Sequence, residues 1–325
     1  MCIRDRHKAV DRALAEISDS VSGIAMLIGY PEYDEEHIYN SCVVIKDGRV
    51  VSRYRKQLLP NYSVFDEERY FTAGREPAVF AINGIRLGMT ICEDVWKPGP
   101  MSQSRGAGAE CIIAINGSPF ALGTQLRREK VMQQRLSEIG VPALYLNMVG
   151  GQDELVFDGG SFAMSADGGI RLRANSFEEG IYIATLRASP SGVTIDEGPR
   201  QADSSIEETV YRALVMGTRD YVTKHGFPGG VIGLSGGIDS SLVTAIACDA
   251  IGAERVRTVM MPFRYTAAIS QEDAAKQAET LGIRYDVIPI EPMYEATIQQ
   301  LQPVLGDREE DVTEENIQSR CRGLL

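Results

Sequence analysis

One segment constrains this chain more than any other. The apolar run Val231-Ile232-Gly233-Leu234 leads into Ser235-Gly236-Gly237-Ile238-Asp239-Ser240-Ser241, and residues 242–251 then read as a helix closed by Gly252. A strand, a loop of glycines and hydroxyls, and a helix start make a cradle for an anion. Glycine lets the backbone approach closely, and the first-turn N–H groups point at the ligand with the positive end of the dipole. The loop has no Lys, so it is not the G-x-x-x-x-G-K-[ST] type that holds the phosphates of nucleoside triphosphatases. The setting such a loop demands is a sheet whose strand feeds directly into a helix.

With 325 residues, two domains are expected, and 44% hydrophobic residues are enough to build their cores. A net charge of −12 argues against nucleic-acid and membrane-surface partners. No stretch approaches the roughly 20 apolar residues of a spanning helix, and no signal core opens the chain. The cysteines at 2, 42, 92, 111, 248 and 321 are scattered without a C-x-x-C pair, so neither a disulfide framework nor a zinc site is indicated. A cytoplasmic protein is the expectation.

Along the chain, residues 7–20 read as a helix, followed by short β-rich runs at 24–28, 41–45, 50–54, 78–82 and 85–91. Lys46-Asp47-Gly48-Arg49 and Asn83-Gly84 are hairpin turns. Strands at 111–115, 143–147 and 162–165, with a helix at 124–139, suggest an α/β sandwich with helices on its outer faces. Residues 187–205 carry the Pro and Gly punctuation of a linker, which places a domain boundary near 200, with domains at 1–195 and 196–325. Beyond it a helix at 206–225, strands at 231–234, 256–261 and 285–290, and intervening helices form a βαβαβ series, hence a parallel doubly wound sheet. The helix before the last strand is expected to open on a capping box, Ser270-Gln271-Glu272-Asp273.

A second candidate site lies where the strand at 85–91 runs into Cys92-Glu93-Asp94. A cysteine at a strand's carboxyl end can face a pocket, although free cysteine is also among the most buried residue types. Only His7, His37 and His225 are present, and His37 sits in the acidic loop Asp34-Glu35-Glu36, so a Cys–His pair is disfavoured. A cation held beside that cysteine would lower the thiol pKa and hold charge on a tetrahedral intermediate. On this basis Cys92 is expected to be the most reactive thiol, with Cys42, Cys111 and Cys248 shielded in apolar runs.

Three resemblances extend this reading. The loop Ser235, Gly236, Gly237, Ile238, Asp239, Ser240, Ser241 resembles the pyrophosphate loop of the ATP pyrophosphatase family. Residues 53–62, 65–71, Gly74 and 88–94 resemble the nitrilase (carbon–nitrogen hydrolase) family, in which a Glu–Lys–Cys set cleaves amides through a thioester. That resemblance implies Cys92 as nucleophile, Lys56 as the oxyanion-stabilising cation, Glu67 as an auxiliary carboxylate, and Tyr62 and Glu93 lining a glutamine pocket. The two together, with Asn116-Gly117-Ser118-Pro119-Phe120, Gly150-Gly151-Gln152-Asp153-Glu154 and Glu315-Asn316-Ile317-Gln318-Ser319-Arg320, resemble the glutamine-dependent NAD⁺ synthetase family over residues 7–325.

The family implies a nitrilase-like αββα sandwich followed by a Rossmann-like parallel sheet of the adenine nucleotide alpha hydrolase type. It also implies Ser118 as a further substrate contact, ATP with Mg²⁺ held in part by Asp239, glutamine and deamido-NAD⁺ as substrates, and a homo-oligomer. Its general-base Glu belongs to strands that would precede the helix at 7–20, so the chain is expected to be truncated at both ends and a weak glutaminase. Two alternatives stay open: another ATP-pyrophosphatase amidotransferase, of GMP or asparagine synthetase type, and a nucleotide-binding fragment without turnover.

Overall fold

The structure is a computed structural model that describes residues 3–34, 36–306 and 312–325; Met1, Cys2 and Glu35 lie outside the described residues. The chain divides into two compact units, one of residues 1–150 and 156–206, the other of residues 151–155 and 207–325.

The first unit opens with α1 (Ile3–Ser20), β1 (Ala25–Tyr33), β2 (Ile38–Lys46) and β3 (Arg49–Arg55), the strands forming an antiparallel sheet in that order. At the β2–β3 turn Asp47 and Gly48 both have positive φ, 48° and 76°. That is the primed geometry whose twist matches the flanking strands. Next come β4 (Val79–Ile82), β5 (Ile85–Ile91), α2 (Glu93–Trp96), α3 (Pro100–Gly106), β6 (Cys111–Asn116), α4 (Thr124–Ile139) and β7 (Ala143–Asn147). The hairpin β8 (Val149–Gln152) and β9 (Leu155–Asp158) follows, then β10 (Phe162–Met164) and β11 (Ile170–Arg173). The second sheet runs β11-β10-β7-β6-β5-β4. Its centre, β5-β6-β7, is parallel and the outer pairs are antiparallel.

The two sheets pack face to face. Cys42, Val44 and Tyr54 of the first meet Phe80, Leu87, Met89, Ile91 and Cys111 of the second. On the outer faces Val43 and Ile45 cover Leu14 and Ile17 of α1, while Ile112, Ala114 and Tyr145 meet Met132, Leu136 and Ile139 of α4. This is an αββα sandwich, and it explains why β2 reads as an unbroken apolar run: both of its faces are covered.

Residues 186–195 correct the linker expectation. They form the hairpin β12 (Leu186–Ser189) and β13 (Gly192–Ile195), with Pro190 and Ser191 in its turn. Pro–Gly–Ser punctuation serves a tight turn as well as a linker. What distinguishes the two is the inward packing of Val193 and Ile195 against the first unit's cores. Gly198 and Pro199 also bond to the β11 backbone, so residues 196–206 group with the first unit.

The second unit starts with α5 (Ile206–Lys224) and continues through β14 (Gly230–Gly233), α6 (Ile238–Ile251), β15 (Val256–Met260), α7 (Ala268–Leu281), β16 (Arg284–Val287), α8 (Glu291–Leu305) and α9 (Val312–Leu324). Its strands form a parallel sheet in sequence order. Two local expectations change. Helix α6 begins at Ile238, so Ile238–Ser241 are its first turn rather than loop. Helix α7 begins at Ala268 behind Ala267, which holds the extended cap conformation without a side-chain cap. The Ser270 N–H is taken by the Ala267 carbonyl, which leaves Ser270 inside the first turn and no capping box.

Within this unit Gly151 donates its N–H to Asp220 Oδ2 (2.7 Å) and accepts from Lys224 Nζ. A Cβ there would lie 3.2 Å from Gly217 Cα, which gives Gly151 its packing reason.

Leu136 is fully buried between α4 and the sheet. Leu136→Ala is expected to destabilise the first unit by about 2–5 kcal/mol. The measurement is urea unfolding followed by Trp96 fluorescence, since Trp96 is the only tryptophan.

Candidate active site

The three central parallel strands of the first unit end together, and their carboxyl ends build the site, as is usual for parallel sheets. β5 ends at Ile91 and passes into Cys92, which has φ 47° and ψ −99° and precedes the short helix α2. A positive φ on a non-glycine residue is a strained conformation. It persists here because its ends are tied: Cys92 N–H donates to the Ile115 carbonyl of β6 (3.1 Å), and Val95 N–H donates to the Cys92 carbonyl (3.0 Å).

Lys56 follows β3 directly and is 1% exposed. Its ammonium donates to both oxygens of Glu67, at 2.7 and 2.8 Å. The main chain holds this pair in place. Lys56 bonds to Asn40 and Gly74, and Glu67 N–H donates to the Pro60 carbonyl (3.1 Å). Gly74 has no alternative, since a Cβ there would meet the Arg55 carbonyl oxygen at 2.1 Å.

The Cys92 thiol feels all of these groups. Burial pushes it up to about 11; Lys56 pulls it down, and Glu67, Glu93 and Asp94 push it further up. Lys56 does favour the thiolate, as expected, but burial outweighs it and the net shift of the thiol is upward. Tyr62 joins the site from the loop above, donating its hydroxyl to Glu93 Oε2 (2.8 Å), and Lys97 lies 3.6 Å from Glu93 Oε1.

Several residues not singled out from sequence complete the arrangement. Asp94 is fully buried and accepts from Tyr54 Oη (2.8 Å), Ile91 N (3.1 Å), Leu58 N (2.9 Å) and Gln57 N (3.2 Å). Burial still pushes its carboxyl up to about 6 against those bonds. Ser118, expected to touch substrate, is held in place by its neighbours. Arg128 Nε donates to its hydroxyl (3.1 Å), and Asn147 Oδ1 accepts from its N–H (2.9 Å). Arg128 is itself fully buried and pairs with both oxygens of Asp158, at 2.8 and 2.9 Å. Tyr145 of β7 is buried beside Cys92 and Ser118, and its hydroxyl forms no well-aligned hydrogen bond. Nothing in local pattern marks these residues, because each is functional only through partners distant in sequence.

His37 is exposed and bonds the Thr72 hydroxyl, at 3.2 Å from Nδ1. Cys42 and Cys111 are sealed, and burial pushes each up to about 12. Cys248, expected to be shielded, is only partly buried on α6.

The second unit carries the glycine loop. Ser235 Oγ lies 3.0 Å from Ser240 Oγ, Gly237 N–H donates to Ser235 Oγ (3.3 Å), and Ser240 Oγ donates to the Gly237 carbonyl (3.0 Å). Gly236 has φ 79°, and a Cβ on it would lie 2.1 Å from the Ser270 carbonyl oxygen, so only glycine fits. The first i→i−4 bond of α6 runs from Ser241 N to Gly237 O (3.1 Å), which leaves the N–H groups of Ile238, Asp239 and Ser240 as helix-terminal donors without a side-chain cap. These donors fit a pyrophosphate. Asp239 stands exposed in the same turn.

Residues 14–194 match the carbon–nitrogen hydrolase family and residues 210–325 the NAD synthase family. The chain is 42% identical to the glutamine-dependent NAD(+) synthetase of Acinetobacter baylyi over 98% of its own length and 59% of that protein. It is 40% identical to that of Thermotoga maritima, covering 93% and 58%. The solved structure of the Acinetobacter baumannii glutamine-dependent NAD+ synthetase in complex with adenosine diphosphate aligns with a TM-score of 0.92 at 41% identity, over 98% of this chain and 60% of that one. The chain thus spans about three fifths of the relatives it matches.

Thiolate fraction controls alkylation. With the Cys92 thiol at about 11, its labelling by iodoacetamide is expected to rise close to tenfold per pH unit between about pH 7 and 9, ahead of Cys42 and Cys111. Peptide mapping checks this; faster labelling of Cys111 would overturn the assignment.

Proposed function

Through residues 14–194 the chain belongs to the carbon–nitrogen hydrolase family, and on that premise we propose that it forms the glutamine-hydrolysing and ATP-binding part of a glutamine-dependent NAD⁺ synthetase. The observation that carries the reading is the buried Lys56–Glu67 pair set beside a strained Cys92 at the carboxyl end of β5.

Cys92 attacks the side-chain amide carbon of glutamine. Lys56, locked by Glu67 and shielded from water, holds the charge that develops on the amide oxygen. The thiol proton ends on the amide nitrogen, so the C–N bond breaks with ammonia as the leaving group, and water then hydrolyses the glutamyl thioester to glutamate and the free thiol. Tyr62 and Glu93, bonded to each other at the open side, meet the ammonium end of the substrate. Glu67, Glu93 and Asp94 each accept hydrogen bonds from neighbouring groups of the site.

In the second unit the loop residues Ser235, Gly237 and Ser240 and the first turn of α6 hold the departing pyrophosphate of ATP. Asp239 would hold Mg²⁺, which would offset the repulsion between carboxylate and phosphate. The nicotinate carboxylate of deamido-NAD⁺ is the group adenylated, and ammonia displaces AMP from it. The assembled enzyme is a homo-oligomer in the cytoplasm.

Substrate protection tests the first half without requiring turnover. Glutamine is expected to slow iodoacetamide labelling of Cys92 at least severalfold and to leave Cys248 unaffected; equal rates with and without glutamine would sink the reading. For the second half, Asp239→Ala is expected to abolish Mg²⁺-dependent ATP binding in calorimetry while the Trp96 unfolding transition stays in place. Binding that survives the substitution, or that needs no Mg²⁺ in the parent, would refute the metal role.

A further inference from the structure

We propose that Asp94 is a positioning residue that clamps Lys56 against Cys92 through main-chain hydrogen bonds, and that the clamp opens when this carboxylate is neutralised. The inference rests on the reading of Cys92 as nucleophile, and it assigns to Asp94 a duty distinct from those of Glu67 and Glu93.

The geometry divides the carboxylate between two pieces of chain. Oδ1 accepts from the main-chain N–H groups of Gln57 and Leu58, directly after Lys56. Oδ2 accepts from Ile91 N–H, directly before Cys92, and from the Tyr54 hydroxyl, two residues before Lys56. One side chain therefore brackets Lys56 on both sides and holds the turn that presents the sulfur. The groups facing it are Tyr54 and Lys56 from β3 and the loop that follows, with Glu67 behind Lys56, and Cys92 and Glu93 on its own turn.

The ionised form holds all of these donors by charge-assisted bonds. On protonation Oδ2 donates to the Tyr54 hydroxyl, which reverses to accept, and the backbone N–H groups are left with the weaker bonds of a neutral acid. Asparagine goes further, because its amide nitrogen must face one of the two donor pairs. The carboxyl, pushed up to about 6 by burial, would lose its proton within the range where the protein can be handled.

The sign of the effect separates a clamp from a mere charge. Among the charges acting on the Cys92 thiol, Lys56 has the largest influence and lowers its pKa, whereas Asp94 has the smallest and raises it. If Asp94 acted only as a charge, neutralising it would make Cys92 more reactive. If it positions Lys56, neutralising it makes Cys92 less reactive, because the larger effect is lost.

The test is the second-order rate of iodoacetamide labelling at Cys92 in the intact chain across about pH 5–9, with Cys111 mapped alongside as a control for general loosening. In the parent the rate should fall tenfold per unit on descending to about pH 6 and more steeply below it. In Asp94→Asn labelling at pH 8 should be about tenfold or more slower, with no steepening near pH 6. A rate equal to or faster than the parent's overturns the proposal, and so does Cys111 labelling in step with Cys92. Should Asp94→Asn fail to fold, Tyr54→Phe decides. It keeps the ring and removes one donor to the carboxylate, so the break should move to higher pH. A break that stays in place overturns the proposal. The glutamine-protection experiment on the parent reports separately on the functional reading, since labelling by iodoacetamide alone does not depend on glutamine.

Discussion

Asp94 joins two pieces of the first unit that the chain brings together only by folding: the exit of β3, which carries Lys56, and the exit of β5, which carries Cys92. Its carboxylate accepts from Tyr54, Gln57, Leu58 and Ile91 in a region sealed from water. A buried carboxylate survives only when its oxygens are satisfied. That requirement also works in reverse, because the donors must stay where the oxygens are. The backbone just after Lys56 and the backbone just before Cys92 are both bonded to this one carboxylate.

Burial and charge compete within the site, and burial prevails. The Cys92 thiol lies close to a cation, yet its pKa is pushed up to about 11 because the surroundings exclude water and hold three carboxylates. The same exclusion would strengthen the hold of Lys56 on an oxyanion in the proposed reaction, since Coulombic interactions strengthen as the effective dielectric falls. The raised thiol pKa and the buried Lys56–Glu67 pair are two results of a single dry environment. The Arg128–Asp158 pair follows the same logic on the neighbouring strand ends. It is buried, fully hydrogen-bonded, and spent on holding Ser118 and Pro119 in place.

The second unit solves a different problem, that of presenting backbone donors to an anion. Its loop is shaped by hydroxyl-to-backbone bonds among Ser235, Gly237 and Ser240, and by the close passage of Gly236 over the Ser270 carbonyl. Helix α6 begins earlier than its apolar pattern indicates, because Ile238, Asp239 and Ser240 donate outward and need no inward partner.

The elements themselves were legible in sequence because their causes are local. Alternation and apolar runs marked β2, β5, β6 and β7, Asp47-Gly48 marked a turn that needs positive φ, and Gly236-Gly237 between strand and helix marked the phosphate cradle. The candidates Cys92, Lys56, Glu67, Tyr62 and Glu93 could be named from motif strings, and the structure brings them together. Three features could not be read this way. The hairpin β12–β13 looked like a linker because turn and linker share a composition, and only the packing of Val193 and Ile195 separates them. The acidity of Cys92 could not be known from its nearness to Lys56, since the dominant influence is exclusion of water by residues from both sheets. Asp94, Asn147 and Arg128 carry no signature because a hydrogen bond between distant segments leaves no periodicity in sequence. Sequence determines what depends on neighbours along the chain, and tertiary structure decides what depends on neighbours in space: solvent exclusion, pKa, and the partner of each buried polar group.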